Sequence, residues 1–135
     1  MHQIDLNILL IDDDPVFILY SKKTIESTGC AVKLTVCAHG QAALQHLANT
    51  KQDISVLPHI IFLDIDMPVM DGWLFLEEYE RLETELRKNA VLYIVTSSPD
   101  AFEINKSRQY ESVKGYLVKP VSKEKFRQLF SSFST

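Results

Sequence analysis

The chain has 135 residues, 46% hydrophobic and 24% charged, which favours one soluble domain around one core. A formal net charge of -4 lacks the basic footprint of a nucleic-acid binder, and no apolar stretch approaches the roughly 20 residues of a membrane span. The opening residues, Met1-His2-Gln3-Ile4-Asp5, carry neither a basic region nor an apolar signal core, so a cytoplasmic protein is expected.

Apolar runs alternate with amphipathic segments, the pattern of a parallel sheet with crossover helices. Strand one is expected from Asn7 to Ile11. Helix one follows Asp14, an N-cap, with Pro15 at the first helical position, and stops near Gly29. Val32 to Cys37 reads as strand two and Gln41 to Asn49 as a helix with Ala43, Leu44 and Leu47 on one face. Cys30 and Cys37 cannot build a disulfide framework and read as buried thiols. Strand three is Ile60 to Leu63. A long helix is predicted over Trp73 to Lys88, from the spacing of Phe75, Tyr79, Leu82 and Leu86. Strand four is Val91 to Val95, followed by a weak, apolar-poor helix over Pro99 to Tyr110 and strand five over Lys114 to Val118. The last helix, Lys123 to Phe133, places Phe126, Leu129, Phe130 and Phe133 on one stripe. It ends two residues before Thr135, so a single domain over residues 1–135 with no output domain is expected within the chain.

The chemistry gathers where these strands end. Asp12 and Asp13 follow Ile8-Leu9-Leu10-Ile11, Asp64 follows Ile60-Ile61-Phe62-Leu63, and Lys119-Pro120 follows Tyr116-Leu117-Val118. Open α/β sheets bind ligands at the carboxyl ends of their strands. Three acids and one base there read as a magnesium and phosphoryl site, because Mg²⁺ favours oxygen ligands and phosphoryl transfer needs a nucleophile, a cation and fixed donors.

These residues resemble the receiver domain of two-component response regulators. The resemblance rests on Leu10-Ile11-Asp12-Asp13-Asp14-Pro15, on Leu63-Asp64-Ile65-Asp66-Met67-Pro68-Val69-Met70-Asp71-Gly72, on Thr96-Ser97-Ser98 and on Gly115-Tyr116-Leu117-Val118-Lys119-Pro120. They occur in the family's order across nearly the whole chain. The resemblance implies a flavodoxin-like, doubly wound, five-stranded parallel sheet in the order 2-1-3-4-5 with five helices. It implies that Asp64 is the phosphoacceptor and that Mg²⁺ is held by Asp13, Asp64 and the backbone carbonyl of Asp66, with Asp12 acting through water. Lys119, the Thr96 hydroxyl and the Ser97 amide would take the phosphoryl oxygens, and the Lys119-Pro120 peptide would be cis. Thr96 and Tyr116 would form a switch that repacks the face of helix four, strand five and helix five. The donor would be a histidine kinase or a histidine phosphotransfer protein, and that face would meet a downstream protein. Such a module is not an enzyme beyond its own phosphorylation and dephosphorylation.

Blander roles are expected for other residues. Asp14 reads as a helix cap, Asp71-Gly72 as a turn and helix start, and Pro68 as a backbone-shaping residue. His2, His39, His46 and His59 lack metal-ligand spacing, and Trp73 reads as packing. Two other functions compete. Asp64-Ile65-Asp66 mimics the paired aspartates of a haloacid-dehalogenase-type phosphatase, although that family places the pair near its first strand. A pseudo-receiver that binds partners without phosphorylation is the other, against which stands the full set of acids, Thr96 and Lys119.

Overall fold

A computed structural model describes residues 5–50, 53–66, 71–82, 84–87, 90–97 and 100–133. Its centre is one five-stranded sheet of β1 (Leu6–Ile11), β2 (Val32–Cys37), β3 (Ile60–Asp64), β4 (Val91–Thr96) and β5 (Val113–Val118), in the order β2-β1-β3-β4-β5 with every pairing parallel. Five helices cover it, four of them crossovers: α1 (Pro15–Ser27), α2 (Gly40–Asn49), α3 (Gly72–Glu80), α4 (Ala101–Ser107) and, after the last strand, α5 (Lys123–Ser131). A short 3-10 turn at Ile54–Val56 precedes β3.

The sheet is apolar on both faces because both are covered, the usual state of a parallel sheet. Successive side chains point to opposite faces, and the core divides accordingly. Leu9, Ile11, Ile61 and Leu63 pack with Ala43 and Leu47 of α2 and Phe75, Leu76 and Tyr79 of α3. Ile8, Leu10, Ile60 and Phe62 pack on the other side with Phe17 and Ile25 of α1 and Phe126, Leu129 and Phe130 of α5. Each fully buried large side chain contributes roughly 1.5–3 kcal/mol.

Local chemistry sets the helix ends. Asp14 caps α1 by accepting from the Val16 amide, with Pro15 at its first position, and Gly29 leaves the helix with φ 76. Asp71, Asp100 and Ser122 cap α3, α4 and α5 in the same manner. His39 caps α2 through Nδ1, a structural role that its imidazole can fill only with that nitrogen unprotonated.

Three expected helices are shorter than the sequence suggested; the last ends at Ser131 rather than Phe133. The helix predicted over Trp73 to Lys88 stops at Glu80; a separate turn of helix runs from Thr84 to Arg87, and Lys88 lies outside the described residues. The Arg81 and Leu82 amides bond back to Glu78 and Tyr79 in tight turns, and Arg87 Nε donates to the Leu82 carbonyl at 3.1 Å, which satisfies the frayed end. Glu80 meanwhile faces away from its own helix, accepting from the Ser112 amide at 2.8 Å and hydroxyl at 2.6 Å. The helix predicted over Pro99 to Tyr110 spans Ala101–Ser107, because Asp100 takes the cap position and only Ser107 within it is buried. At its far end Trp73 stacks on Tyr110, with ring centroids 5.8 Å apart, and the Lys106 ammonium lies 4.7 Å from the indole centre. Pro68 and His2 lie outside the described residues.

Candidate functional site

Parallel register brings the C-terminal tips of β1, β3, β4 and β5 to one edge: Ile11 pairs with Leu63, Asp64 with Val95, and Thr96 with Val118. Asp12 and Lys119, one residue past β1 and β5, therefore share one edge with Asp64 and Thr96, the last residues of β3 and β4. The Asp12 amide continues the ladder by donating to the Cys37 carbonyl, and the Lys119 amide does so by donating to the Thr96 carbonyl at 2.8 Å.

Asp12 is fully buried, Asp64 is 5% exposed and Asp13 is open to solvent. Carboxylate oxygens of all three lie within 4.8 Å of one another. Asp12 Oδ1 accepts from the Asp14 amide at 2.9 Å, and Asp64 Oδ1 accepts from the Asp66 amide at 3.0 Å. The remaining oxygens face a single cation. Lys119 Nζ lies 2.8 Å from Asp12 Oδ2 and 3.6 Å from Asp64 Oδ2, so the direct partner of this lysine is Asp12.

Burial pushes the Asp64 carboxyl up to about 6; repulsion from Asp12 and Asp66 adds to this, and the Asp66 amide and Lys119 only partly oppose it. Burial alone would lower the Lys119 ammonium, but its bond to Asp12 and the charges of Asp12, Asp64 and Asp14 outweigh that and raise it. One lysine among these acids leaves negative charge in excess. Hard, clustered oxygen donors with surplus charge fit a divalent cation that keeps part of its water shell, and Asp13 and Asp64 are the carboxylates that Lys119 does not hold closely.

Thr96 is fully buried at the end of β4. The Tyr116 hydroxyl accepts a hydrogen bond from the Thr96 side chain and donates its own hydrogen to Glu103 Oε1 at 2.6 Å. Burial first, then the Glu103 carboxylate, drives the Tyr116 phenol above its ordinary range. The tyrosine thus bridges the site edge and α4. Ser97 and Asp66 are exposed, and Asp66 stands apart from the carboxylate cluster. The Lys119-Pro120 peptide is cis, as the resemblance implied.

Sequence reading missed two contributors. Glu103 receives the Tyr116 hydroxyl, and the Phe17 ring centre lies 4.5 Å from the Lys119 ammonium. Neither has a motif signal, because each contact joins a helix to β5 or to the residue just after it through tertiary packing.

The fold and this acid-and-lysine edge define a two-component signalling domain. Residues 8–131 match the response regulator receiver domain, and the chain belongs to that family. The chain is 30% identical over 122 residues to the probable methanogenesis regulatory protein FilR2 of Methanothrix harundinacea, covering 90% of this chain and 76% of that protein. It is 27% identical over 126 residues to the two-component response regulator ARR2 of Arabidopsis thaliana, covering 93% of this chain but 17% of that longer protein. The crystal structure of a two-component response regulator from Cytophaga hutchinsonii superposes with a TM-score of 0.85 at 25% identity and 97% coverage of both chains. This membership supersedes the phosphatase alternative. Receiver domains are signalling modules rather than conventional enzymes. Among the described residues no helix is long and apolar enough to cross a membrane.

Proposed function

We propose that this chain accepts a phosphoryl group on Asp64 from a histidine kinase or histidine phosphotransfer protein and, in response, changes a partner-binding face. The observation that carries the proposal is the convergence of three clustered carboxylates and one lysine on the edge where β1, β3, β4 and β5 end. An Asp64 carboxylate oxygen forms a bond to phosphorus as the bond from phosphorus to the donor nitrogen breaks; that nitrogen keeps the electron pair and is protonated from solvent. Asp13, Asp64 and the Asp66 carbonyl would hold Mg²⁺, with Asp12 acting through water. When bound, the ion supplies neutralisation of charge on the transferred group. Lys119 and the Thr96 and Ser97 donors receive the phosphoryl oxygens, and their fixed position is what lowers the barrier.

Incubation with a small acyl phosphate and Mg²⁺ is expected to add one phosphoryl group, seen by intact mass, and Asp64→Asn should remove it. Label retained in that variant would place the acceptor elsewhere. A pseudo-receiver would show no label at all.

The output face is read as α4, β5 and α5. Thr96 and Tyr116 connect it to the acceptor, and Glu103 fixes the tyrosine to α4. Phe102 of α4 and Val118 of β5 are large apolar residues exposed there, at 72% and 49%. A phosphoryl group that draws Thr96 toward itself would weaken its bond to Tyr116 and so alter α4, a helix with little buried area. A fluoroberyllate mimic should therefore change NMR shifts from Ala101 to Tyr116, and Tyr116→Ala should uncouple those changes from the site. Shifts confined to residues around Asp64 would count against this face as the output.

A further inference from the structure

Lysine is a flexible point charge on a four-carbon stem, so a catalytic role needs its ammonium held in place. Backbone pairing with Thr96 fixes only the Lys119 main chain. Its ammonium is fixed by Asp12 on one side, 2.8 Å away, and by the face of Phe17 on another, 4.5 Å from the ring centre. The lysine side chain is 13% exposed and Phe17 is 6% exposed, so water screens this cation–π contact only weakly.

Phe17 is itself held. Tyr20, one turn further along α1, stacks on it at 6.3 Å, and the Tyr20 hydroxyl donates to the carbonyl of buried Val121 at 2.8 Å. That carbonyl lies two residues beyond Lys119. Just before α1, the amide of its cap residue Asp14 donates to Asp12, the carboxylate that pairs with Lys119. The start of α1 and the loop after β5 therefore close a ring of contacts: Asp12 to Asp14, α1 to Phe17, Phe17 to Lys119, and Lys119 back to Asp12. Asp64 is the second carboxylate within reach of the same ammonium, at 3.6 Å.

We propose that Phe17 is a positioning residue for phosphoryl acceptance, its ring face holding the Lys119 ammonium toward Asp64. This rests on the reading of Asp64 as the acceptor. Core packing between α1 and α5 would also place an aromatic ring here, since Phe17 belongs to that apolar cluster. The two roles separate because packing depends on size and apolarity, whereas cation binding depends on the electron density of the ring face.

The test incorporates phenylalanine analogues of increasing fluorination at position 17, ending with the pentafluoro ring, which keep the shape and drain the ring face. Each protein is phosphorylated with a small acyl phosphate and Mg²⁺, and its thermal midpoint, Mg²⁺ affinity and Lys119 side-chain NMR resonances are recorded. The expected result is a graded fall in phosphorylation rate, reaching about fivefold for the full series, with the midpoint and Mg²⁺ affinity nearly unchanged and the Lys119 resonances moving in step. Phe17→Leu, apolar but without a ring, should match the most fluorinated protein in rate. A flat rate across the series, or a rate that follows the thermal midpoint instead of fluorination, would overturn the proposal while leaving Asp64 as acceptor. Failure of the unsubstituted protein to gain a phosphoryl group on Asp64 would overturn both.

Discussion

Asp64→Asn is expected to make the metal-free protein more stable at neutral pH, by about 1–3 kcal/mol, while abolishing phosphoryl acceptance. The sign follows from the carboxyl's displacement up to about 6, caused first by burial. In the unfolded chain an aspartate titrates near 3.9. The folded protein therefore binds the proton more tightly, and stability falls as pH rises from about 4 to about 6. Above that window the full cost of burying the charge is present. Asparagine escapes it, and its side-chain oxygen can still accept from the Asp66 amide as Asp64 Oδ1 does. Denaturant unfolding with chelator present should show the variant ahead at about pH 7.5 and the two proteins converging toward about pH 4. Added Mg²⁺ should narrow the gap at the higher pH, since a ligand of the folded state stabilises it by mass action. Equal stabilities at neutral pH would mean that the site relaxes enough to hydrate Asp64.

Gly72→Ala should be among the most damaging single substitutions near the site. A Cβ there would lie 2.5 Å from Ile65 Cα, 2.7 Å from Ile65 Cγ2 and 2.9 Å from the Asp64 carbonyl oxygen. The obstacle is largely backbone, and the Gly72 amide is bonded to the Ile65 carbonyl at 3.1 Å, so the start of α3 cannot swing away without breaking that bond. A loss of about 3 kcal/mol is expected, with the thermal midpoint down by roughly 10 °C. Gly29→Ala offers a contrast. Gly29 has φ 76 with open space around its Cβ direction, so the cost there is conformational alone, about 1 kcal/mol. If thermal denaturation shows Gly72→Ala no worse than Gly29→Ala, α3 is free to shift at its first turn.

The strand tips were legible because buried parallel strands read as unbroken apolar runs, and an acid or lysine after such a run has few other places to be. That reasoning located Asp12, Asp13, Asp64 and Lys119 at one edge, and the family resemblance added Thr96. Helix starts were legible too: Asp14-Pro15 and Asp71-Gly72 carry capping chemistry in their own side chains. The break after Glu80 was not, since Leu82 and Leu86 continue the helical spacing of Phe75 and Tyr79. At the break the Arg81 and Leu82 amides close tight turns, and the Glu80 side chain bonds Ser112, 32 residues on, a partner that local spacing does not reveal. Glu103 and Phe17 were illegible for the same reason. Their partners, Tyr116 on β5 and Lys119 just past its end, meet whichever helix residue the rotation of α4 and α1 against the sheet presents. Periodicity gives the apolar stripe of a helix but not its register against a neighbour, least of all in α4, which buries so little.

The stack of Trp73 on Tyr110 beneath Lys106 has an optical consequence. The chain contains one tryptophan, so its indole emission comes from a single known place. That place joins the first turn of α3, just beyond the acceptor loop, to the far end of α4. Both the phenol ring and the ammonium lie close enough to perturb the excited indole, and a small slide of the helix would alter that environment. The native protein thus carries a label-free fluorophore between α3 and the end of α4, and the proposed response of α4 to phosphorylation would be readable from it in a stopped-flow cuvette without modification.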